Sequence, residues 1–361
     1  MGSKRKKIII VVGSTGGHLF PGVALGEELL QRVSDLSLLF TGEKKLASQK
    51  VWKERNLSFE PIPIFKRPGL GRSMLGWPVR VFLAFKSAFS LLRRESPDLV
   101  IGTGSYATLP LLLAARCKKI PTLLHEQNVF PGLTTRFLVR FGIPVGLTFK
   151  ESKEYLPRGM YRVTGMPVRK EFFEIREKKY EEFLLSPAKK SLLVFGGSQG
   201  ASFINRLLLN TVMRLDPKKW QIIHLTGTSD FEEVSLFYRD AGIQSLVLPF
   251  YFDIYLLFAI ADMAVCRAGA GTLTELSACS LPAVLIPFQY AGGHQILNAK
   301  AVSFPGRFTV LPENQATPSS LYEAMMRLER EKEQNSFSSS SPIADIHGNC
   351  ALYAISLLRK R

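Results

Sequence analysis

Three clusters of residues have the types and spacing to do chemistry. The first is Gly13-Ser14-Thr15-Gly16-Gly17-His18, set between the apolar run Ile8–Val12 and the helix-forming stretch Leu19–Leu30. Glycines let backbone amides approach an anion, and a helix N-terminus behind them favours negative charge. His18 stands at the mouth of this turn, where a group that titrates near neutral pH can take a proton. Gly13, Gly16 and Gly17 do not have the G-x-G-x-x-G spacing of dinucleotide sites, and no Gly-Lys-Ser/Thr follows to make a Walker A loop.

The second cluster, Gly196-Gly197-Ser198-Gln199-Gly200-Ala201, follows the apolar run Ser191–Phe195 and offers backbone amides and the Ser198 hydroxyl to a diphosphate. The third, Cys266-Arg267-Ala268-Gly269-Ala270-Gly271-Thr272-Leu273-Thr274-Glu275, is another glycine-rich helix start. Glu275 lies one turn into that helix. A carboxylate there is ill suited to a phosphate and well suited to a ribose diol, although a solvated glutamate stabilised by the helix dipole has the same pattern. Further on, Pro287–Ala299 puts amide side chains, Gln295 among them, at the end of the next strand.

Elements of alternating type must position these turns. Strands are expected over Ile8–Val12, Leu36–Thr41, Phe59–Ile64, Leu99–Thr103, Thr122–His125 and Val145–Phe149. Helices are expected near 23–32, 47–55, 79–94, 110–116 and 133–141. After Gly165-Met166-Pro167 and a charged connection over 170–190, a second series begins. It has strands at Ser191–Phe195, Trp220–Thr226, Leu246–Pro249, Met263–Cys266 and Ala283–Pro287. Its helices are expected near 205–214, 255–261, 272–279 and 295–301. Alternation of this kind specifies parallel sheets with helices on both faces. Both halves open with strand, glycine turn and helix, so the expected fold class is α/β, with two Rossmann-like domains facing across a cleft that holds the ligands. The domains expected are 1–164 and 165–344, with a linker over 332–344 and an amphipathic helix, 345–361, packing back on the first.

Composition is consistent with that division. A chain of 361 residues, 46% of them hydrophobic, can bury two cores. No apolar run reaches the ~18 residues of a membrane span. Lys4-Arg5-Lys6-Lys7 and the following apolar residues resemble a secretory signal, but the apolar stretch is too short and runs into glycines rather than a cleavage site. The four cysteines form no C-x-x-C pair and have apolar neighbours, which implies buried free thiols in a reducing compartment. The net charge of +17 is concentrated in residues 1–164, which hold 26 Lys and Arg against 11 Asp and Glu. A basic half calls for an anionic partner. Segment 64–94 narrows the choice. Leu70, Met74, Leu75 and Trp77 lie between cations in a glycine- and proline-rich loop, and Phe82, Phe85, Phe89 and Leu92 recur at helical spacing beside Arg80, Lys86, Arg93 and Arg94. That mixture suits the interface of an anionic bilayer, and a core helix with a basic edge has the same spacing. Helix-turn-helix, zinc and RNA-binding signatures are absent from the sequence, so nucleic acid is not an expected partner.

Taken together, Gly13–Gly22, His125-Glu126-Gln127-Asn128, Gly165-Met166-Pro167-Val168-Arg169, Gly196–Ala201, Arg267–Glu275 and His294–Ala299 resemble the MurG family in order and spacing. These are bacterial N-acetylglucosaminyltransferases that convert lipid I to lipid II in peptidoglycan synthesis. The resemblance implies a GT-B fold, UDP-N-acetylglucosamine as donor held mainly by the second domain, lipid I as acceptor, no cofactor, and a peripheral position on the cytoplasmic face of the inner membrane. Carried over by position, Thr15, Gly16 and Gly17 line the site beside the donor diphosphate or acceptor pyrophosphate, and Asn128 contacts the donor sugar. Arg169 and Ser198 hold the diphosphate, and Tyr251 meets uracil through its backbone. Ala270, Gly271, Thr272, Leu273, Thr274 and Glu275 form the nucleotide-binding helix start with Glu275 on the ribose, and Gln295 binds sugar hydroxyls. The chain departs from the family pattern at Gly293 (commonly Asp), Met166 (Asn), Ala268 (Ser) and Ser105 (Gly).

The implied chemistry is an inversion at the anomeric carbon, which needs one general base. His18 is the first candidate, Glu126 the second and His125 the third. No Asp-x-Asp carboxylate pair is present to hold a diphosphate-bound metal, so helix N-termini and cations are expected to stabilise the leaving UDP. Activity is expected to be undiminished in excess chelator; its abolition by chelator would contradict a metal-independent reaction.

Overall fold

The structure is a computed structural model that describes residues 5–63, 77–174, 179–197, 200–289, 293–302, 307–334 and 349–359. The chain divides into two compact units, residues 1–169 with 346–361, and residues 170–345.

The first unit is built on seven strands: β1 (Lys6–Val11), β2 (Leu36–Gly42), β3 (Phe59–Pro61), β4 (Leu99–Gly102), β5 (Thr122–Glu126), β6 (Val145–Leu147) and β7 (Tyr161–Val163). Their order is β3-β2-β1-β4-β5-β6-β7 and every neighbouring pair is parallel. Helices α1 (Gly16–Arg32), α2 (Val51–Glu54), α3 (Trp77–Glu95), α4 (Thr108–Cys117) and α5 (Leu133–Val139) lie between strands. A continuous apolar run suits a strand covered on both faces, and Ile8 to Val12 are wholly buried. Gly22 and Gly26 let α1 lie close to the sheet, since a Cβ at either would come within 2.5 Å of Val12 or Phe40. That approach fixes the start of α1 over the strand ends.

The second unit opens with α6 (Glu171–Glu174) and carries β8 (Lys190–Phe195), β9 (Trp220–Leu225), β10 (Ser245–Leu248), β11 (Met263–Cys266), β12 (Ala283–Leu285) and β13 (Phe308–Val310). The order is β10-β9-β8-β11-β12-β13, again all parallel. Its remaining helices are α7 (Ser202–Val212), α8 (Phe231–Asp240), α9 (Ile254–Ile260), α10 (Ala270–Ala278), α11 (His294–Val302) and α12 (Pro318–Gln334). The last helix, α13 (Asn349–Leu358), belongs to the first unit, where it packs on α1, β4 and β5.

In open parallel sheets ligands bind outside the carboxyl ends of the strands where the strand order reverses. The order reverses between β1 and β4 in the first unit and between β8 and β11 in the second. The Gly13–His18 turn leaves β1, and Gly196–Ala201 and Arg267–Gly269 leave β8 and β11. All three clusters therefore sit at switch points.

Several elements differ from expectation. β7 and β13 are three-residue edge strands, too short to show a period, and α8 and α12 are polar enough to read as connections. The expected helix over 47–55 shrinks to the four residues of α2. Lys332 to Gln334 finish α12 rather than starting a linker; the rest of that segment, 335–344, lies outside the described residues, as does loop 64–76 with Leu70, Met74 and Leu75. The expected aromatic stripe of α3 splits. Ala84, Ala88, Leu91 and Leu92 face the core, while Val79, Phe82, Leu83 and Phe89 are exposed, because small residues let the helix sit close to α4. Cys117 is exposed at the end of α4, unlike buried Cys266 and Cys350. Among the described residues no helix is long and apolar enough to cross a membrane.

Candidate active site

The turn after β1 makes Thr15 the residue preceding α1, and its carbonyl accepts the amides of His18 at 3.0 Å and Leu19 at 2.9 Å. The amides of Gly16 and Gly17 come before the first bonds of the helix, so they belong to the orphan donors that favour an anion. Arg169 is buried, with its guanidinium 4.5 Å from the Phe20 ring of α1. It therefore joins Thr15, Gly16 and Gly17 in the first unit, although its sequence position put it with the second domain.

His18 is half-buried beside the ends of β4 and β5. Burial pushes its pKa below the ordinary 6.5, opposed by the charge of Glu126 and by hydrogen bonding to the Thr103 backbone and the Gln127 side chain. His125 is fully buried and its Nε2 lies 2.9 Å from the Gly165 carbonyl, so that nitrogen carries the proton. Burial brings its pKa down to about 4, which makes it a neutral structural donor rather than a base.

Glu126 is buried, and its carboxylate is fully engaged. Oε1 accepts the Asn128 amide at 3.0 Å and the Asn128 side chain at 3.4 Å, while Oε2 accepts the Gly132 amide at 3.1 Å and the Thr135 hydroxyl at 2.5 Å. The group thus ties down the loop leading into α5. Removing it leaves several buried donors unpaired, so Glu126→Ala is expected to lower the unfolding free energy by about 3 kcal/mol in denaturant titration. Unchanged stability with lost activity would instead mark Glu126 as a reacting group.

In the second unit, Gly197 and Gly200 have φ of +104° and +77°, and the Gly200 amide bonds the Gly197 carbonyl at 3.0 Å. Ser198 and Gln199 between them lie outside the described residues. The turn is braced by a network that the sequence did not reveal. The Asn205 side-chain amide donates to the Thr226 carbonyl at 2.9 Å and to Asp230 at 2.7 Å, and its oxygen accepts His224 Nε2–H at 3.0 Å. His224 Nδ1 in turn accepts the Tyr238 hydroxyl at 3.0 Å. Burial drops His224 to about 3, so it stays neutral. The only signal was a lone Asn and a lone His at otherwise apolar positions.

At α10 the first helical bond runs from the Leu273 amide to the Gly269 carbonyl at 3.0 Å, leaving Ala270, Gly271 and Thr272 at the open end. Leu273 and Thr274 are wholly buried, and the Thr274 hydroxyl donates to the Ala270 and Gly271 carbonyls. Glu275 is half-buried on the same helix. Arg267, which carried no expected role, is clamped by the Ile286 carbonyl at 3.2 Å and Glu313 at 2.7 Å. Gln295 accepts the Phe288 amide at 2.9 Å, and Tyr251 meets Phe183 edge-on with ring centroids 5.8 Å apart. Tyr290, Ala291 and Gly292 lie outside the described residues, and Gly293 has a φ of +69°.

Residues 8–144 match the glycosyltransferase family 28 N-terminal domain and residues 191–348 its C-terminal domain. The chain is 34% identical over 341 residues to the UDP-N-acetylglucosamine--N-acetylmuramyl-(pentapeptide) pyrophosphoryl-undecaprenol N-acetylglucosamine transferase of Desulforamulus reducens, covering 91% of each chain. It is 38% identical over 322 residues to the enzyme of the same name from Syntrophotalea carbinolica, covering 87% of each. The crystal structure of Acinetobacter baumannii MurG aligns with a TM-score of 0.72 at 26% identity, over 99% of this chain and 100% of that one. The chain belongs to the MurG family. It is a glycosyltransferase, and its two parallel-sheet units are those of the GT-B fold. A UDP-N-acetylglucosamine 2-epimerase also aligns, with a TM-score of 0.69, but at 14% identity it shares the fold alone.

Within this MurG family member the residues carried over by position fall into two sets. Thr15, Gly16, Gly17, His18, Glu126, Asn128 and Arg169 are in the first unit, and Tyr251, Ala270 to Glu275 and Gln295 in the second. Asn128 is the one whose side chain is already engaged by Glu126. The side chains of Leu273 and Thr274 are core.

Proposed function

We propose that this chain transfers N-acetylglucosamine from UDP-N-acetylglucosamine to the C4 hydroxyl of the muramoyl sugar of lipid I, giving lipid II. The observation that carries the reading is the end-to-end match, across both units, to relatives whose name states that transfer. The donor is assigned to the second unit, with its diphosphate on the Gly196–Ala201 turn and Ser198, its uracil at the Tyr251 backbone, its ribose on Glu275, and its sugar hydroxyls on Gln295. The acceptor pyrophosphate is assigned to Thr15, Gly16 and Gly17 at the start of α1, with Arg169 beside them.

In this reading the C4 oxygen attacks the anomeric carbon while UDP departs from the opposite face, so an α-linked donor gives a β-linked product. His18 takes the C4 proton. Its lowered pKa keeps it neutral and available, and the Glu126 carboxylate nearby favours the imidazolium that forms. The four hydrogen bonds on Glu126 favour this division of labour over Glu126 as base. Negative charge on the leaving diphosphate is met by the amides of the Gly196–Ala201 turn and by Ser198. With UDP-N-acetylglucosamine alone the donor is expected to survive prolonged incubation and to be consumed once a lipid I analogue is added. Conversion of the donor to its C2 epimer would favour the epimerase chemistry of the fold neighbours.

The basic first unit and α3 support docking on the anionic cytoplasmic face of the inner membrane. Phe82 is 66% exposed and Val79 59%, with Arg80, Lys86, Arg93 and Arg94 exposed on the same helix. Sedimentation with phosphatidylglycerol vesicles is expected, with phosphatidylcholine vesicles leaving the protein in the supernatant. Phe82→Ser should weaken binding roughly tenfold, the worth of one buried aromatic; equal binding to both lipids would remove the electrostatic part of the proposal.

A further inference from the structure

Two complementary polar atoms lie close to one another behind the site. His18 Nδ1 and Gln127 Oε1 are both buried and neither makes a hydrogen bond of good geometry. Both flank Gly104, where a Cβ would lie 3.1 Å from Gln127 Oε1 and 3.8 Å from His18 Cε1. Gly104 has a φ of +81° and adds no side chain to that space.

The orientation of the Gln127 amide is fixed by its surroundings. Its nitrogen lies 3.1 Å from the Thr103 carbonyl, 3.2 Å from the His125 carbonyl and 3.3 Å from His125 Nδ1. All three are acceptors, because His125 spends its proton on Gly165 through Nε2. The NH2 end of the amide therefore points at them, and the carbonyl end is directed to the opposite side. A carbonyl oxygen can only accept, and the buried atom it is matched with can donate only as Nδ1–H.

We propose that Gln127 is a positioning residue for the reaction: its side-chain oxygen holds His18 in the Nδ1–H tautomer and so reserves Nε2 for the acceptor's proton. The inference rests on the reading of His18 as the base. A chain of neutral groups then runs from the Gly165 carbonyl through His125 and Gln127 to His18. It fixes which nitrogen of the base is protonated, as a second group does for the imidazole in hydrolase triads. No charge is buried to achieve this, since His125 is neutral and the amide is uncharged; the titratable neighbours facing His18 are Glu126 and His125 on β5.

The test is long-range proton–nitrogen NMR on the protein labelled with 15N at its five histidines, with His18 assigned by its loss in His18→Ala. At pH 8 the wild type is expected to show His18 protonated at Nδ1 and bare at Nε2. In Gln127→Leu the tautomers should mix, and kcat should fall about tenfold with the donor KM within about twofold. An Nε2–H tautomer in the wild type overturns the inference. So does a folded Gln127→Leu protein with an unchanged His18 spectrum. If instead His18→Ala retains full kcat, the base assignment fails while the tautomer result stands on its own.

Discussion

His18→Ala is expected to lower kcat by about 10³-fold, within the 10²–10⁴ that a positioned general base contributes, while leaving the donor KM nearly unchanged. The uneven effect follows from where the residue sits. His18 belongs to the first unit, next to the start of α1, and the glycine turns assigned to the donor are in the second. The pH profile of the wild type gives an independent check. Activity requires the neutral imidazole, and burial lowers its pKa. The acid limb of kcat/KM should therefore have its midpoint below 6.5, the ordinary histidine value, with activity lost as pH falls through it. In His18→Ala that limb should disappear. A variant as fast as wild type, or a limb that persists unchanged, would pass the proton to another group.

Gly200→Ala should be the most damaging single-methyl change in the donor turn. Gly200 has a φ of +77°, and a Cβ there would lie 2.2 Å from the Thr226 carbonyl oxygen and 2.8 Å from Gly227 Cα. Both contacts are backbone, and Thr226 is itself pinned by Asn205, so neither side can yield cheaply. Left-handed strain and overpacking together cost about 3 kcal/mol, equivalent to roughly 10 °C in melting temperature for a unit of this size. A turn displaced to relieve the clash should also raise the donor KM at least about tenfold, because amides that cradle a diphosphate act through their position. Calorimetry and donor titration of the variant check the two effects. A normal melting temperature together with a normal donor KM would show that the turn relaxes freely and is not the diphosphate cradle.

The features legible in the sequence were those carried by period and by glycine. Ile8–Val12 and Ser191–Phe195 read as buried strands because nothing polar interrupts them, and the glycine turns that follow fall at the switch points of both sheets. The edge strands β7 and β13 and the polar helices α8 and α12 have no comparable signature. In α3 the helical period was legible and the choice of face was not: Ala84 and Ala88 pack inward, while Phe82 and Phe89 are exposed, which removes the core-helix reading of that stripe.

Side-chain networks were the least legible part. Glu126 has the chemistry of a base, and only its four hydrogen bonds from three residues, two of them six and nine residues away, show that its oxygens are spent. The orientation of Gln127 depends on Thr103 and His125, which lie on or next to different strands. Likewise Asn205 and His224 find each other only once α7 packs beside β9. Spacing along the chain carries no record of such partners.

The central claim is transfer to a lipid-linked muramoyl sugar with inversion. Its most direct test is to incubate the purified protein with labelled UDP-N-acetylglucosamine and a lipid I analogue, then determine the mass and anomeric linkage of the lipid product. One N-acetylglucosamine β-linked to C4 of the muramoyl sugar, formed in step with UDP release, is the predicted result. Normal binding of UDP-N-acetylglucosamine with no sugar on the lipid, or an α-linked product, would contradict the account.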